Sequence, residues 1–169
     1  LNVATVAAIG ANSQMVVSDD NPANVKCIVG PAIEIKKQVR FQGSTTFVNA
    51  DTVAAGPTGL VGDNAIYRLV VKNIGDEDLT NLTITDSALN IIDVVIADLP
   101  VGARKVINRS KAGFSNLFAQ GVCDAAGSKL NVAKVQANGV ITDAPVTDED
   151  PAYVNCESPV ACDISVDQT

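Results

Sequence analysis

Three carboxylates stand in a row at Asp148, Glu149 and Asp150, and a similar run, Asp19, Asp20 and Asn21, stands near the start of the chain. Hard cations such as calcium take several oxygen ligands at once, so these acids, with Asp143 nearby, form the candidate metal site. Calcium is the one cofactor they suit. The competing reading is an acidic turn whose Asp side chains accept from backbone amides. A third run, Asp76-Glu77-Asp78, falls between two strand patterns and reads as a solvated hairpin turn. The four cysteines, Cys27, Cys123, Cys156 and Cys162, include no CxxC pair, and the chain has no His, which argues against zinc. An even count in a strand-rich chain suggests disulfides, and the expected pairs are Cys27–Cys123 and Cys156–Cys162. Two alternatives stay open: a Cys123–Cys156 bridge, and four buried thiols. Asn81-Leu82-Thr83 and Asn108-Arg109-Ser110 are acceptor sequons, so Asn81 and Asn108 are candidate glycosylation sites.

Catalytic chemistry finds no support. Without His, neither a Ser-His-Asp nor a Cys-His site can be built. There is no P-loop, no SxxK dyad and no Gly-rich nucleotide fingerprint; the glycines from Gly56 to Gly62 read as a loop. The expectation is that the chain is not an enzyme and has no catalytic residues. A net charge of −7 disfavours nucleic acid and anionic membrane surfaces, both of which select basic patches. No run approaches the roughly 18 apolar residues of a membrane helix, so no membrane insertion is expected. No leader is evident as written, and Leu1 in place of an initiator Met suggests a processed chain or a fragment.

The elements that would position these residues are strands. Hydrophobic residues make up 47% of the chain, aromatics only 4%, and Val, Ile, Ala, Thr, Asn, Asp and Gly dominate. Alternation recurs. Ile33, Ile35, Lys37, Val39 and Phe41 share one face, with Lys37 expected to reach solvent by its tip. Tyr67, Leu69 and Val71 share another. Leu82 and Ile84 point one way, and Asn81, Thr83 and Thr85 the other. Turn signals separate these runs at Gln42-Gly43, Gly56-Pro57, Asn73 to Asp78, Leu99 to Gly102, Ala125 to Gly127 and Asn138-Gly139. Short strands at this spacing predict an all-β antiparallel sandwich, with any helical turn short and near 113–120.

The chain also repeats itself. Residues 1–27 align with 130–156 without a gap, at a constant offset of 129, and 13 of the 27 positions are identical. Repeats of this kind set the organisation of the whole chain. Residues 1–27 read as the tail of a preceding repeat or a donor segment, 28–156 as one complete repeat, and 157–169 as a linker and the first strand of a following repeat. A segment that belongs to another unit can complete that unit's sheet, with Val3, Ala4, Val6 and Ala8 as the residues offered for strand exchange. Head-to-tail contacts that do not close make filaments.

The run IEIKKQVRFQGSTTFVNADTVAAGPTGLVGDNAIYRLVVKNIGDEDLTNLTITD resembles the surface-protein repeat family named domain of unknown function eleven. The resemblance rests on Ile33/Ile35/Lys37, Asn49 to Thr52, Gly56-Pro57-Thr58, Tyr67/Val71/Asn73/Gly75, Leu79 to Asp86, and the closing stretch Asn131 to Ala152 with its copy Asn2 to Ala23. It implies an immunoglobulin-like sandwich used in tandem in cell-surface and adhesin-like proteins. Relatives often carry an acidic calcium-type loop before the sixth strand; here that region is Pro100 to Lys105, with Arg104 and Lys105, which does not suit calcium. The function expected is that of a structural subunit or repeat of an extracellular filament, sheath or surface array. Its partners would be identical subunits or adjacent repeats, a homopolymer. The alternative is an adhesin repeat that binds glycans or a host surface through its loops, for which Tyr153, Phe114 and Phe118 are the available aromatics.

Overall fold

The computed structural model describes residues 2–23 and 30–159. Leu1, Cys27, Cys162 and the expected first strand of a following repeat, Asp163 to Asp167, lie outside the described residues. Twelve strands run in chain order: β1 (Asn2–Ile9), β2 (Val16–Ala23), β3 (Ile33–Phe41), β4 (Val48–Asn49), β5 (Thr58–Leu60), β6 (Ala65–Asn73), β7 (Leu79–Asp86), β8 (Ile91–Val95), β9 (Arg104–Ile107), β10 (Phe118–Ala119), β11 (Gly127–Gly139) and β12 (Pro145–Glu157). Helical content among the described residues is limited to three 3₁₀ turns, at Val53–Ala55, Ser87–Leu89 and Ser115–Leu117, the last inside the stretch expected to turn.

From β3 onward the strands form two packed sheets, the all-β sandwich that the alternation predicts. In one sheet β3 pairs with β6 along its whole length and with the short β4; the far edge of β6 is shared by β9 and β10. The other sheet runs β5-β12-β11-β7-β8, antiparallel except for the β5–β12 pair. Period-two alternation determines the core. Every second residue of β3 is buried, and the inner faces of β6, β7, β11 and β12 add Tyr67, Leu69, Val71, Leu82, Ile84, Ala133, Val135, Ala137, Ala152 and Val154. In β7 the buried Leu79 and Leu82 are three apart, which strict alternation forbids. A bulge resolves this: Asn81 takes a left-handed conformation, φ 55°, and the ladder to β11 shifts register there.

Three expectations need correction. Lys37 does not reach solvent: it is 0% exposed and ion-paired with Asp86, also 0% exposed, from the opposite sheet. Glu77 is not solvated but 1% exposed. Its carboxylate accepts from the Ile141 amide (2.7 Å), the Thr142 amide (3.0 Å) and the Thr142 hydroxyl (2.6 Å). The run Asp148 to Asp150 lies within strand β12 rather than on a loop. In each case the deciding partner lies on another element, far away in sequence.

Candidate functional site

The repeat in sequence is a repeat in structure. β1 and β2 form a hairpin whose eight residue pairs, from Asn2↔Ala23 to Ile9↔Val16, each map by the offset of 129 onto a pair of the β11–β12 hairpin, from Asn131↔Ala152 to Asn138↔Pro145. The turns match as well. The Gly10 amide donates to Met15 O (2.9 Å) and the Gln14 amide to Gly10 O (2.8 Å); Gly139 to Ala144 O and Asp143 to Gly139 O, both 3.0 Å, are the counterparts. Gln14 and Asp143 share positive φ values of 55° and 53°. The Ser13 and Thr142 hydroxyls accept from the second residue on, Met15 and Ala144, at 3.3 Å in both.

What differs is the surroundings. In the sandwich, β11 is flanked by β7 and β12 by β5, and the inward face meets β3. Val135 is 0% exposed there, whereas its counterpart Val6 is 65% exposed. Ala4 and Ala8 are likewise exposed where Ala133 and Ala137 are buried, and every residue of β2 is exposed. Val3 is the odd member of the exchange set, because its counterpart Val132 sits on the outward face, 38% exposed. Residues 2–23 thus carry a core-forming face without a core.

The acidic runs gain their role from this comparison. β4 pairs only with the Gln38–Val39 end of β3, so the amides of Ile35 and Lys37 need acceptors from elsewhere. Asp148 Oδ2 accepts from Ile35 at 2.8 Å and Asp150 Oδ2 from Lys37 at 2.6 Å. Asp150 is almost fully buried; desolvation raises its pKa, opposed by the Lys37 amide and Lys36, and aided by the charges of Asp51 and Asp148. Glu149, between them, points to the other, exposed side of the strand. Among the described residues no group of three or more His, Cys, Asp or Glu is arranged to hold a metal ion. In the first copy Asp19 stands where Asp148 does, Asn21 where Asp150 does, and Asp20 on the outward side with Glu149. Asp19 and Asn21 therefore present oxygen acceptors that fit the edge of a β3 strand.

The turn has a matching receptor. Glu77, at the end of the β6–β7 connection, clasps the β11–β12 turn through Ile141 and Thr142. A Cβ on Gly139 would stand 2.5 Å from that carboxyl, so the glycine leaves room for the clasp. The Thr142 hydroxyl, then the Ile141 and Thr142 amides, hold the Glu77 carboxyl below its ordinary value of 4.5, against the opposing effect of burial. A depressed carboxylate contributes stability above its unfolded-state value, and that contribution is lost as the pH falls through the folded-state value. Glu77→Gln is accordingly expected to lower the thermal midpoint at neutral pH and to flatten its fall below about pH 4.5, the ordinary Glu range. An unchanged acid limb in a pH series of melting curves would show that the clasp does not couple to stability.

The disulfide differs from the expected pairs. Cys123 bonds Cys156, with Cα atoms 5.4 Å apart, so neither Cys27–Cys123 nor Cys156–Cys162 forms in this structure. The cause is β5. It runs parallel to the end of β12, setting Gly59 against Cys156, and the next turn holds Cys123 through the Gly62 amide to Cys123 O at 2.8 Å. Both sequons are surface features, with Asn81 at the β7 bulge and Asn108 just after β9 exposed. Of the aromatics offered for a glycan platform, Phe114 is fully buried, while Phe118 and Tyr153 are half-buried. No helix among the described residues is long and apolar enough to cross a membrane. Comparison with protein-family models, curated proteins and solved structures finds no match to this chain.

Proposed function

We propose that this chain is a structural unit of an extracellular filament, sheath or surface array, built from immunoglobulin-like sandwiches joined head to tail. In this reading residues 2–23 are the closing hairpin of a neighbouring unit. The observation that carries it is the exposed face of Ala4, Val6 and Ala8 on a hairpin whose register and turn duplicate those of β11–β12.

The described residues contain two closing hairpins and one sandwich to receive them. The groove between β7 and β5 is filled by β11–β12 of the same chain, so the hairpin fits a neighbour whose own closing hairpin is absent or displaced. That neighbour is an adjacent repeat of one polypeptide or a separate subunit. It would contribute a β7 edge to β1, the apolar face of β3 and β6 to Ala4, Val6 and Ala8, β3 amides to Asp19 and Asn21, and a Glu77 clasp to Asn12 and Ser13. Main-chain ladders would supply affinity and the alternate side chains would set the register. The disulfide supports an oxidising, extracellular setting. The test is Val6→Asp in the otherwise intact chain. Loss of assemblies by light scattering and electron microscopy, with the thermal midpoint of the sandwich unchanged, is the expected result; assemblies that persist would overturn the proposal.

A further inference from the structure

Three groups of complementary reactivity meet in the middle of the sandwich, and hairpin docking uses none of them. Lys37 of β3 is fully buried, and its ammonium donates to Asp86 Oδ2 at the end of β7. The other Asp86 oxygen accepts from the Leu89 amide at 3.2 Å, which fixes the carboxylate. The Lys37 nitrogen lies 4.9 Å from the centroid of the Tyr67 ring. Asn131 faces the same space from β11: it is 7% exposed, and its side chain lies beside the Tyr67 hydroxyl. Its Oδ1 is buried and has no hydrogen-bond partner. A buried amide oxygen left without a donor is unfavourable, so its position needs a reason.

Sheet register brings the acid and the amide together. Thr85 pairs with Lys134, which sets Asp86 level with Ala133, one same-face step along β11 from Asn131. Such diagonal neighbours are about 7–8 Å apart between Cα atoms, within reach of side chains. Tyr67 links the groups: its ring lies 4.9 Å from the Lys37 nitrogen, and both Asp86 and Asn131 act on its hydroxyl.

We propose that Lys37 and Asn131 join in an intramolecular isopeptide bond, with Asp86 carrying the proton. Asp86 takes a proton from the Lys37 ammonium. The neutral Nζ attacks Cγ of Asn131, a new C–N bond forms, and the bond from Cγ to the amide nitrogen breaks. Asp86 passes this proton to the departing nitrogen, which leaves as ammonia, and takes up the second Nζ proton as the new amide becomes neutral. One amide replaces another, so no oxidant, reductant or further reagent is needed. The surroundings favour each step. Burial outweighs the attraction of Asp86 and lowers the Lys37 pKa to about 8, which brings the neutral nucleophile within reach near neutral pH. A dry, low-dielectric site strengthens the action of the carboxylate on the reacting atoms. A cleft of about 470 Å³, lined by Tyr67, Leu89, Phe118, Leu130 and Asn131 among others, leads from the amide to solvent and gives ammonia a way out. The product ties β3 of one sheet to β11 of the other, which suits a unit loaded in tension.

The test is the intact mass of the full chain, reduced and denatured, followed by peptide mapping. The expected mass is lower than that of the sequence by one ammonia, with a branched peptide joining Lys37 to Asn131. Asp86→Ala is expected to keep the full sequence mass. Asn131→Asp, which preserves size and packing, is expected to lose one water instead and so to end at the same mass as the parent chain. A parent mass equal to that of the sequence would overturn the proposal. So would loss of ammonia with Lys37 in an unbranched peptide, which marks cyclisation of an Asn, or loss of water with Lys37 joined to Asp86.

Discussion

Val135→Asp is expected to abolish the folded sandwich, whereas Val6→Asp, the same change at the matching position of the first hairpin, leaves it intact. Val135 is 0% exposed at the centre of β11 and packs in the main core. Removing its buried side chain forfeits about 1.5–3 kcal/mol, and an unpaired carboxylate in the same place adds several more. Domains of this size hold about 5–15 kcal/mol in total, so the variant should be unfolded or close to it at room temperature. Val6 is 65% exposed, and the stability of the sandwich does not depend on it. Circular dichroism melts of the two variants check the pair. A sandwich that tolerates Val135→Asp would mean that β11–β12 is not integral to it. A sandwich destabilised by Val6→Asp would mean that the first hairpin packs on its own body.

The second large effect lies at the buried ion pair. In an Asn131→Ala parent, where no isopeptide bond can form and Lys37 stays a free amine, Asp86→Ala should destabilise the chain by about 3–5 kcal/mol, because it leaves the Lys37 ammonium buried without its counter-charge. In that same Asn131→Ala parent the double variant Lys37→Met with Asp86→Leu should recover most of that loss or exceed the parent, since apolar residues of similar size avoid the desolvation of both ions. Denaturant midpoints of the parent, single and double variants measure this directly. A single variant as stable as the parent would mean that the pair is solvated. The pH dependence has a defined sign wherever Lys37 remains a free amine. Its folded-state pKa of about 8 lies below the ordinary 10.5. Between these values the unfolded chain holds the proton and the folded chain does not, so stability rises with pH across that window. A chain closed by the isopeptide bond loses this dependence.

Local alternation made most of the sandwich legible. The buried faces of β3, β6 and β7 follow from period two, including the inward position of Lys37. Its burial is not legible there, because the partner that permits it, Asp86, is 49 residues away and carries no local signal. Glu77 was hidden in the same way, since its donors lie 64 and 65 residues on. The run Asp148 to Asp150 looked like a metal loop because three consecutive acids mask strand alternation. Only the missing ladder at the Ile35–Lys37 edge of β3 explains why two of them face inward. The cysteines illustrate a limit of a different kind. The repeat equates Cys27 with Cys156, so register alone permits either as the partner of Cys123, and the choice falls to β5, a three-residue strand without a strong pattern. The hairpin at 2–23, by contrast, is legible in full, because a gapless repeat carries its pairing with it.

The most direct measurement of the central claim is amide hydrogen exchange across residues 2–23 in the assembled native material. Docking beside a neighbour's β7 would engage the amides on the outer edge of β1, at Thr5 and Ala7, which the β1–β2 ladder leaves unpaired; their counterparts in β11 are Lys134 and Gln136, which lie against Thr85 and Thr83. Protection at these amides comparable to that of β11, lost when the assembly is dispersed, is the predicted result. Rapid exchange there in intact assemblies would contradict the claim that this hairpin closes a neighbouring sandwich.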